Sequence, residues 1–239
     1  MPKDALNVLE ETSRTFYLPI VQLPESLQEA VASGYLLMRA IDEIEDHPEL
    51  DSALKVKLLT GIDRILQAQT SVEDFAHERF AKLFENYRGK LPEVTLRLSE
   101  WACYAPKFIA PRIWESTAAM AVRMKHWVQN GFQVLNRADL DSYTYSVAGA
   151  VGLLLCHIWA WFEGVHIHRS RAIQFGRGLQ SVNILRNHEE DLQRGVDFYP
   201  QNWGDGDMQA YARANLEEFD HYIKDLPKSS FTAFVAIPR

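Results

Sequence analysis

The sequence predicts an all-α protein, and three observations carry that reading. Apolar residues recur at helical spacing through most of the 239 residues. Proline and glycine fall between the periodic stretches, where helices start and stop. No alternation of useful length marks a strand.

The N-terminal run "MPKDALNVLEETSR" is polar and periodic, and it lacks the apolar core of a signal peptide. "LPESLQEAVASGYLLMRAIDEIED" places Leu27, Ala30, Val31, Leu37, Met38, Ile41 and Ile44 at helical spacing. Pro24 lies just before its apolar run and Pro48 just after, both suitable places for proline. "SALKVKLLTGIDRILQAQ" predicts a second helix, and "FAHERFAKLFENYRG" a third, closed by Gly89. "PEVTLRLSEWACYAPKFIA" is broken by Pro106 and Pro111. "IWESTAAMAVRMKHWVQN" is a long helix ending near Gly131. A helical segment from Leu140 to Phe162 follows, then one from Arg169 to Arg194, with Gly195 as a natural stop. "MQAYARANLEEFDHYIKDL" is a last amphipathic helix.

Tyr143 to Phe162, "YTYSVAGAVGLLLCHIWAWF", is about long enough to span a bilayer. Its polar Thr144, Ser146 and His157, and its Gly149 and Gly152, favour a buried helix pair in a large all-helical core. Peripheral membrane contact stays open. With 47% hydrophobic residues and no repeat or low-complexity linker, residues 1–239 read as a single domain. The net charge of −7 argues against a basic nucleic-acid surface. Cys103 and Cys156 lie in apolar surroundings without zinc spacing, so two buried thiols in a reducing cytoplasm are expected.

Two stretches stand out for their oxygen-bearing side chains. In "QSVNILRNHEEDLQRGVDFYP", Asn183, Asn187 and Asp191 lie at i, i+4, i+8 and form one helical stripe, with Gln180 and Glu190 beside it. In "MRAIDEIEDHPELD", Asp42 and Asp46 are also four apart, and Arg39 and Glu45 share that face. Glu43, His188 and Glu189 are expected to point away into solvent. Ionised carboxylates near a core need a partner or a metal. Two such faces across a cavity would suit Mg²⁺, which takes a few carboxylates plus phosphate oxygens. The same spacing also fits solvated helix faces.

These blocks resemble the squalene/phytoene synthase family, the head-to-head prenyl synthases. "RAIDEIED" and "QSVNILRNHEEDLQRGVDFYP" are similar to the two aspartate-rich motifs, "YTYSVAGAVG" to the tyrosine-and-glycine segment, and "SRTFYLPIVQLP" to the N-terminal serine motif. All four occur in the family's order.

The resemblance implies an isoprenoid-synthase helical fold around a central apolar cavity. It implies Mg²⁺ held by Asp42 and Asp46 on one side and by Asn187 and Asp191 on the other. It implies diphosphate contacts from Ser13, Thr15 and Arg39, the last through its two-pronged fork. Gln180, Asn183 and Arg186 would line the polar end, with Phe16 and Tyr35 as pocket walls or plain core. Tyr143 would stand at the reacting centre, its ring facing a carbocation and its hydroxyl able to move a proton. Read without the resemblance, Ser13 and Thr15 fit a helix cap and Tyr143 an ordinary core residue. The substrate implied is a farnesyl or geranylgeranyl diphosphate. NADPH is not indicated by any glycine-rich motif, which this family does not use.

Asn187 stands where the second motif normally has aspartate, so it would ligate Mg²⁺ without adding charge. That substitution puts the coupling of two diphosphates in doubt. The ending "SSFTAFVAIPR" stops where family members usually continue into a further helix. Three functions compete. The first joins two prenyl diphosphates head to head, giving squalene, dehydrosqualene, phytoene or a presqualene-type product. The second ionises one prenyl diphosphate, as a phosphatase or a terpene cyclase. The third is a non-catalytic lipid binder, against which Asp42, Asp46, Asp191, Arg39 and Tyr143 speak.

Overall fold

A computed structural model describes residues 3–227, without the side chains of Lys3 and Arg14. Among the described residues there are thirteen α-helices and no strand. The terminal run "SSFTAFVAIPR" lies outside the described residues.

The chain enters through α1 (Lys3–Thr12) and α2 (Arg14–Val21), then forms the long α3 (Glu25–Glu45). Helix α4 (Ser52–Gln67) leads to α5 (His77–Phe84), and the short α6 (Glu93–Leu96) and α7 (Leu98–Tyr104) bring the chain to α8 (Ala110–Gln129). The second half holds α9 (Arg137–Thr144), α10 (Ala150–Glu163), α11 (Arg169–Gln193), α12 (Asp205–Leu216) and α13 (Phe219–Asp225).

Helix α3 is central because both its flanks are apolar. Leu36, Leu37, Ala40, Ile41 and Ile44 have no exposed surface. They pack against α7, α8, α6 and α10. Some polar groups inside this core find partners on the backbone, although the buried Tyr222 hydroxyl has none. Ser33 donates to the Trp101 carbonyl at 2.7 Å, and Trp114 Nε1 donates to the Ala102 carbonyl at 2.9 Å. Helix α11 organises the other half, against α9, α10, α12 and α13.

Two sequence expectations change. The segment from Leu140 to Phe162 is not one regular helix. A π-helical turn, Tyr145–Gly149, separates α9 from α10. It lies where the helices pack closely: a Cβ on Gly176 would lie 2.5 Å from the Ala148 carbonyl oxygen, and one on Gly152, just beyond the turn, would lie 2.3 Å from that of Ala172. Backbone meets backbone there, and the extra residue per turn accommodates it. The last helix is also split, because the chain turns at Glu217 and Glu218 so that Phe219 and Tyr222 stack on Phe175.

The run Arg137–Glu163 is long and apolar enough to cross a membrane by length and composition. Here its α10 part packs against α3, α8 and α11, and Ile158 and Trp159 are fully buried.

Candidate active site

The two acidic stretches are the C-terminal turns of α3 and α11. Asp42 lies in the last turn of α3, and Asp46 is its C-cap. Asp191 lies in the last turn of α11, and Arg194 is its C-cap. Helix C-termini carry partial negative charge, and neither helix has a basic residue in its last turn. Carboxylates are therefore concentrated where the backbone already disfavours them.

The strain shows on α3. Burial, with Asp46 and Glu43 adding to it against the opposing pull of Arg39, lifts the Asp42 carboxyl from 3.8 to about 7. Burial, Asp46 and Asp42 likewise hold Glu45 well above the usual carboxylate range.

Arg194 joins the two ends. Its guanidinium donates to Asp46 Oδ1 at 3.2 Å and also to Asp191 Oδ1. Asp191 is 8% exposed on its side chain, while Asp46 and Arg194 are about half exposed. Asn187 does not turn to the carboxylates: its amide donates to Asn183 Oδ1 at 3.2 Å, as Arg186 does at 3.4 Å. Asn183 and Arg186 are exposed, and Gln180 is half-buried one turn earlier.

Tyr143 is buried close to this acidic centre. Burial first, then Glu45, Asp46, Asp42 and Asp191, raise its phenol well above 10.0, so it stays protonated. Its ring lies face to face on Phe198, centroids 4.4 Å apart, and edge-on to Trp127 at 5.3 Å.

The N-terminal residues reach the same helix α3. The Tyr35 hydroxyl donates to the Thr12 carbonyl at 3.0 Å, and its ring is tilted 6.1 Å from that of Phe16. Ser13 caps α2, accepting from the Phe16 amide at 3.0 Å, and Thr15 is exposed. Arg39 pairs with Glu43, yet its Nε is buried with no hydrogen-bond partner. That unspent donor suits an anion.

A hard divalent cation suits the oxygens on α3, which repel one another. Among the described residues, however, no three His, Cys, Asp or Glu side chains are gathered closely enough to hold a metal. Two surface clefts of about 400 Å³, one beside His77 and Arg88 and one beside Gln69 and Glu115, contain none of the predicted site residues.

Residues 9–226 match the family described as squalene/phytoene synthase. The chain belongs to that family. It is 26% identical to the squalene synthase of Schizosaccharomyces pombe, over 97% of this chain and 56% of that protein. It is 29% identical to the squalene synthase of Dictyostelium discoideum, over 92% of this chain and 51% of that protein. The chain thus spans about half the length of these curated relatives. Its fold is that of a TcSQS–ligand complex, with a TM-score of 0.76 at 22% identity over 97% of this chain and 74% of the other. A dehydrosqualene synthase complex gives a TM-score of 0.58 at 20% identity, over 99% and 77%. The squalene/phytoene synthase family resemblance read from four short motifs is therefore correct, as is the isoprenoid-synthase helical fold.

Two expectations from helical phase need correction. Glu43 is not free in solvent, because Arg39 draws it back along α3. His188 stacks on Tyr199 with ring centroids 3.7 Å apart and pairs with Asp197 at 3.3 Å. Glu189 is exposed, as expected. The sequence reading missed Trp127, Phe198 and Arg194. Arg194 and Phe198 sit inside the quoted second motif, but nothing in the spacing says that Arg194 reaches Asp46 or that Phe198 lies on Tyr143.

Proposed function

We propose that the chain is an Mg²⁺-dependent prenyl-diphosphate enzyme that condenses two allylic prenyl diphosphates head to head. The observation that carries this reading is the meeting of Asp46 and Asp191 on Arg194, beside a buried Tyr143. Membership of the squalene/phytoene synthase family supports the same reaction class.

Asp42, Asp46, Asn187 and Asp191 would hold the magnesium. The ion would supply positive charge to the departing diphosphate. Arg39, with its unspent Nε, would donate to diphosphate oxygens, with Ser13 and Thr15 at the neighbouring helix start. Gln180, Asn183 and Arg186 would line the polar end. Phe16 and Tyr35 would wall the prenyl chain. The Tyr143 ring, packed on Phe198 and Trp127, would face a developing cation and help to exclude water. The neutral phenol of Tyr143 is able to exchange a proton there.

Substrates of farnesyl or geranylgeranyl length fit this reading, with residues 1–239 acting as one domain in the cytoplasm. Membrane association would let an apolar product leave.

A second reading has an observation of its own. Asn187 brings no charge and is bonded to Asn183. An enzyme poor in negative charge on α11 would ionise one diphosphate and release an alcohol or a ring. The test common to both is diphosphate release from farnesyl diphosphate. Release that needs Mg²⁺ and is lost in Asp191→Asn supports the site. Metal-independent release, or release that survives the substitution, removes it.

A further inference from the structure

The cation already present between the two acidic helix ends is a side chain. Arg194 closes α11, and its two terminal nitrogens reach carboxylates that lie 148 and 3 residues away in sequence. One of those partners, Asp191, is nearly buried. The other, Asp46, caps α3. Both are residues that would hold a metal.

The charges around this contact are uneven. On α3, Asp42, Glu45 and Asp46 crowd one helix end, and Arg39 is drawn off by Glu43. Lys55 approaches from α4, its ammonium donating to the Glu45 carbonyl at 2.5 Å. On α11, Asn183 and Asn187 are neutral and bonded to each other. Asp191 is the one carboxylate of that stripe, and Arg194 already neutralises it. A divalent ion approaching Asp191 would meet a guanidinium first. Two cations cannot share those oxygens closely, since like charges repel strongly in a partly buried site.

We propose that Arg194 is the resident counter-ion of this site, and that a divalent cation binds between Asp46 and Asp191 only by displacing it. The inference rests on the metal reading above. Arg194 acts here as a positioning residue. It holds the ends of α3 and α11 together without metal, and it sets how much divalent ion the chain needs. Once displaced, its fork is free for an anion that accompanies the metal.

The test uses the full chain, Mn²⁺ as the probe ion and inorganic pyrophosphate as the accompanying anion. Mn²⁺ affinity is measured by calorimetry, and thermal stability is followed with and without the ion. Arg194→Gln is expected to bind Mn²⁺ roughly fivefold more tightly than wild type, the size a half-exposed ion pair supports. It is also expected to melt lower without metal and to gain more from Mn²⁺, because ligand stabilisation grows with affinity. Arg194→Lys keeps the charge but has no fork to span both carboxylates, so it is expected to fall between the two. Should Arg194→Gln fail to fold without metal, Arg194→Lys carries the affinity comparison alone. Equal affinities and equal melting gains in all proteins overturn the inference, as does weaker binding in the variants. If none of the proteins binds Mn²⁺ even with pyrophosphate, the metal reading itself falls and this inference falls with it.

Discussion

The ring of Tyr143 lies flat on the ring of Phe198, with 4.4 Å between centroids and 16° between planes. This stack ties α9 to the loop that follows the second acidic helix. It fixes the phenol in a buried position, and burial first, then the nearby carboxylates, keeps it protonated. Tyr143→Phe preserves the stack and removes only the hydroxyl. The expected result is a melting temperature close to wild type with turnover reduced about 10²-fold, the contribution of a positioned proton donor. Steady-state kinetics beside a thermal melt checks both halves. Unchanged turnover would make Tyr143 a packing residue.

Asp42 supplies a pH dependence. Its carboxyl is raised from 3.8 to about 7, so the folded chain holds that proton more tightly than the unfolded chain. Stability contributed by this group is therefore full below the unfolded value and declines as pH rises through that window. Metal-free Asp42→Asn, which cannot ionise, is expected to melt above wild type at about pH 8, with the gap narrowing below about pH 7 and closing only near about pH 4. The same substitution is expected to abolish diphosphate release. A more stable but inactive protein is the signature of carboxylates gathered for function. A pH-independent gap would show that Asp42 is not strained.

Asn187 is a neutral amide one turn before Asp191 on α11. Asn187→Asp is expected to raise coupled product relative to prenyl alcohol, if charge there limits the second ionisation. The ratio of the two products at fixed Mg²⁺ decides it. A ratio that does not move counts against the idea.

Gly176 marks the tightest approach of α11 to the π-helical turn. Gly176→Ala would put a methyl 2.5 Å from the Ala148 carbonyl oxygen and 3.0 Å from the Gly149 Cα. Backbone on both sides leaves little room to relax, and a destabilisation of about 1–3 kcal/mol is expected. Gly206→Ala on α12, with nothing within 4 Å of the added methyl, serves as the control. Urea denaturation measures both, and equal midpoints would contradict the close contact.

Much of this architecture is legible from residue spacing. The periodicity of Leu27 to Ile44 gives α3 its buried faces, and Gly195 ends α11 where a positive φ of 79° is needed. The i, i+4 acids placed the two candidate clusters on their helices. The π-helical turn was not legible, because Gly176 and Ala148 are distant in sequence and meet only in the packed fold. Arg194 escaped notice for the same reason: its value comes from Asp46, which lies on another helix. His188 looked solvated by helical phase, but the chain after Gly195 folds back and lays Tyr199 on its ring.

The most direct measurement is a product analysis of the purified protein. Farnesyl or geranylgeranyl diphosphate is supplied with Mg²⁺, with and without NADPH, and the extract is read by mass spectrometry. Head-to-head condensation predicts a thirty- or forty-carbon product that requires Mg²⁺ and disappears in Asp191→Asn. Fifteen- or twenty-carbon alcohols or rings alone, at any metal concentration, would contradict it.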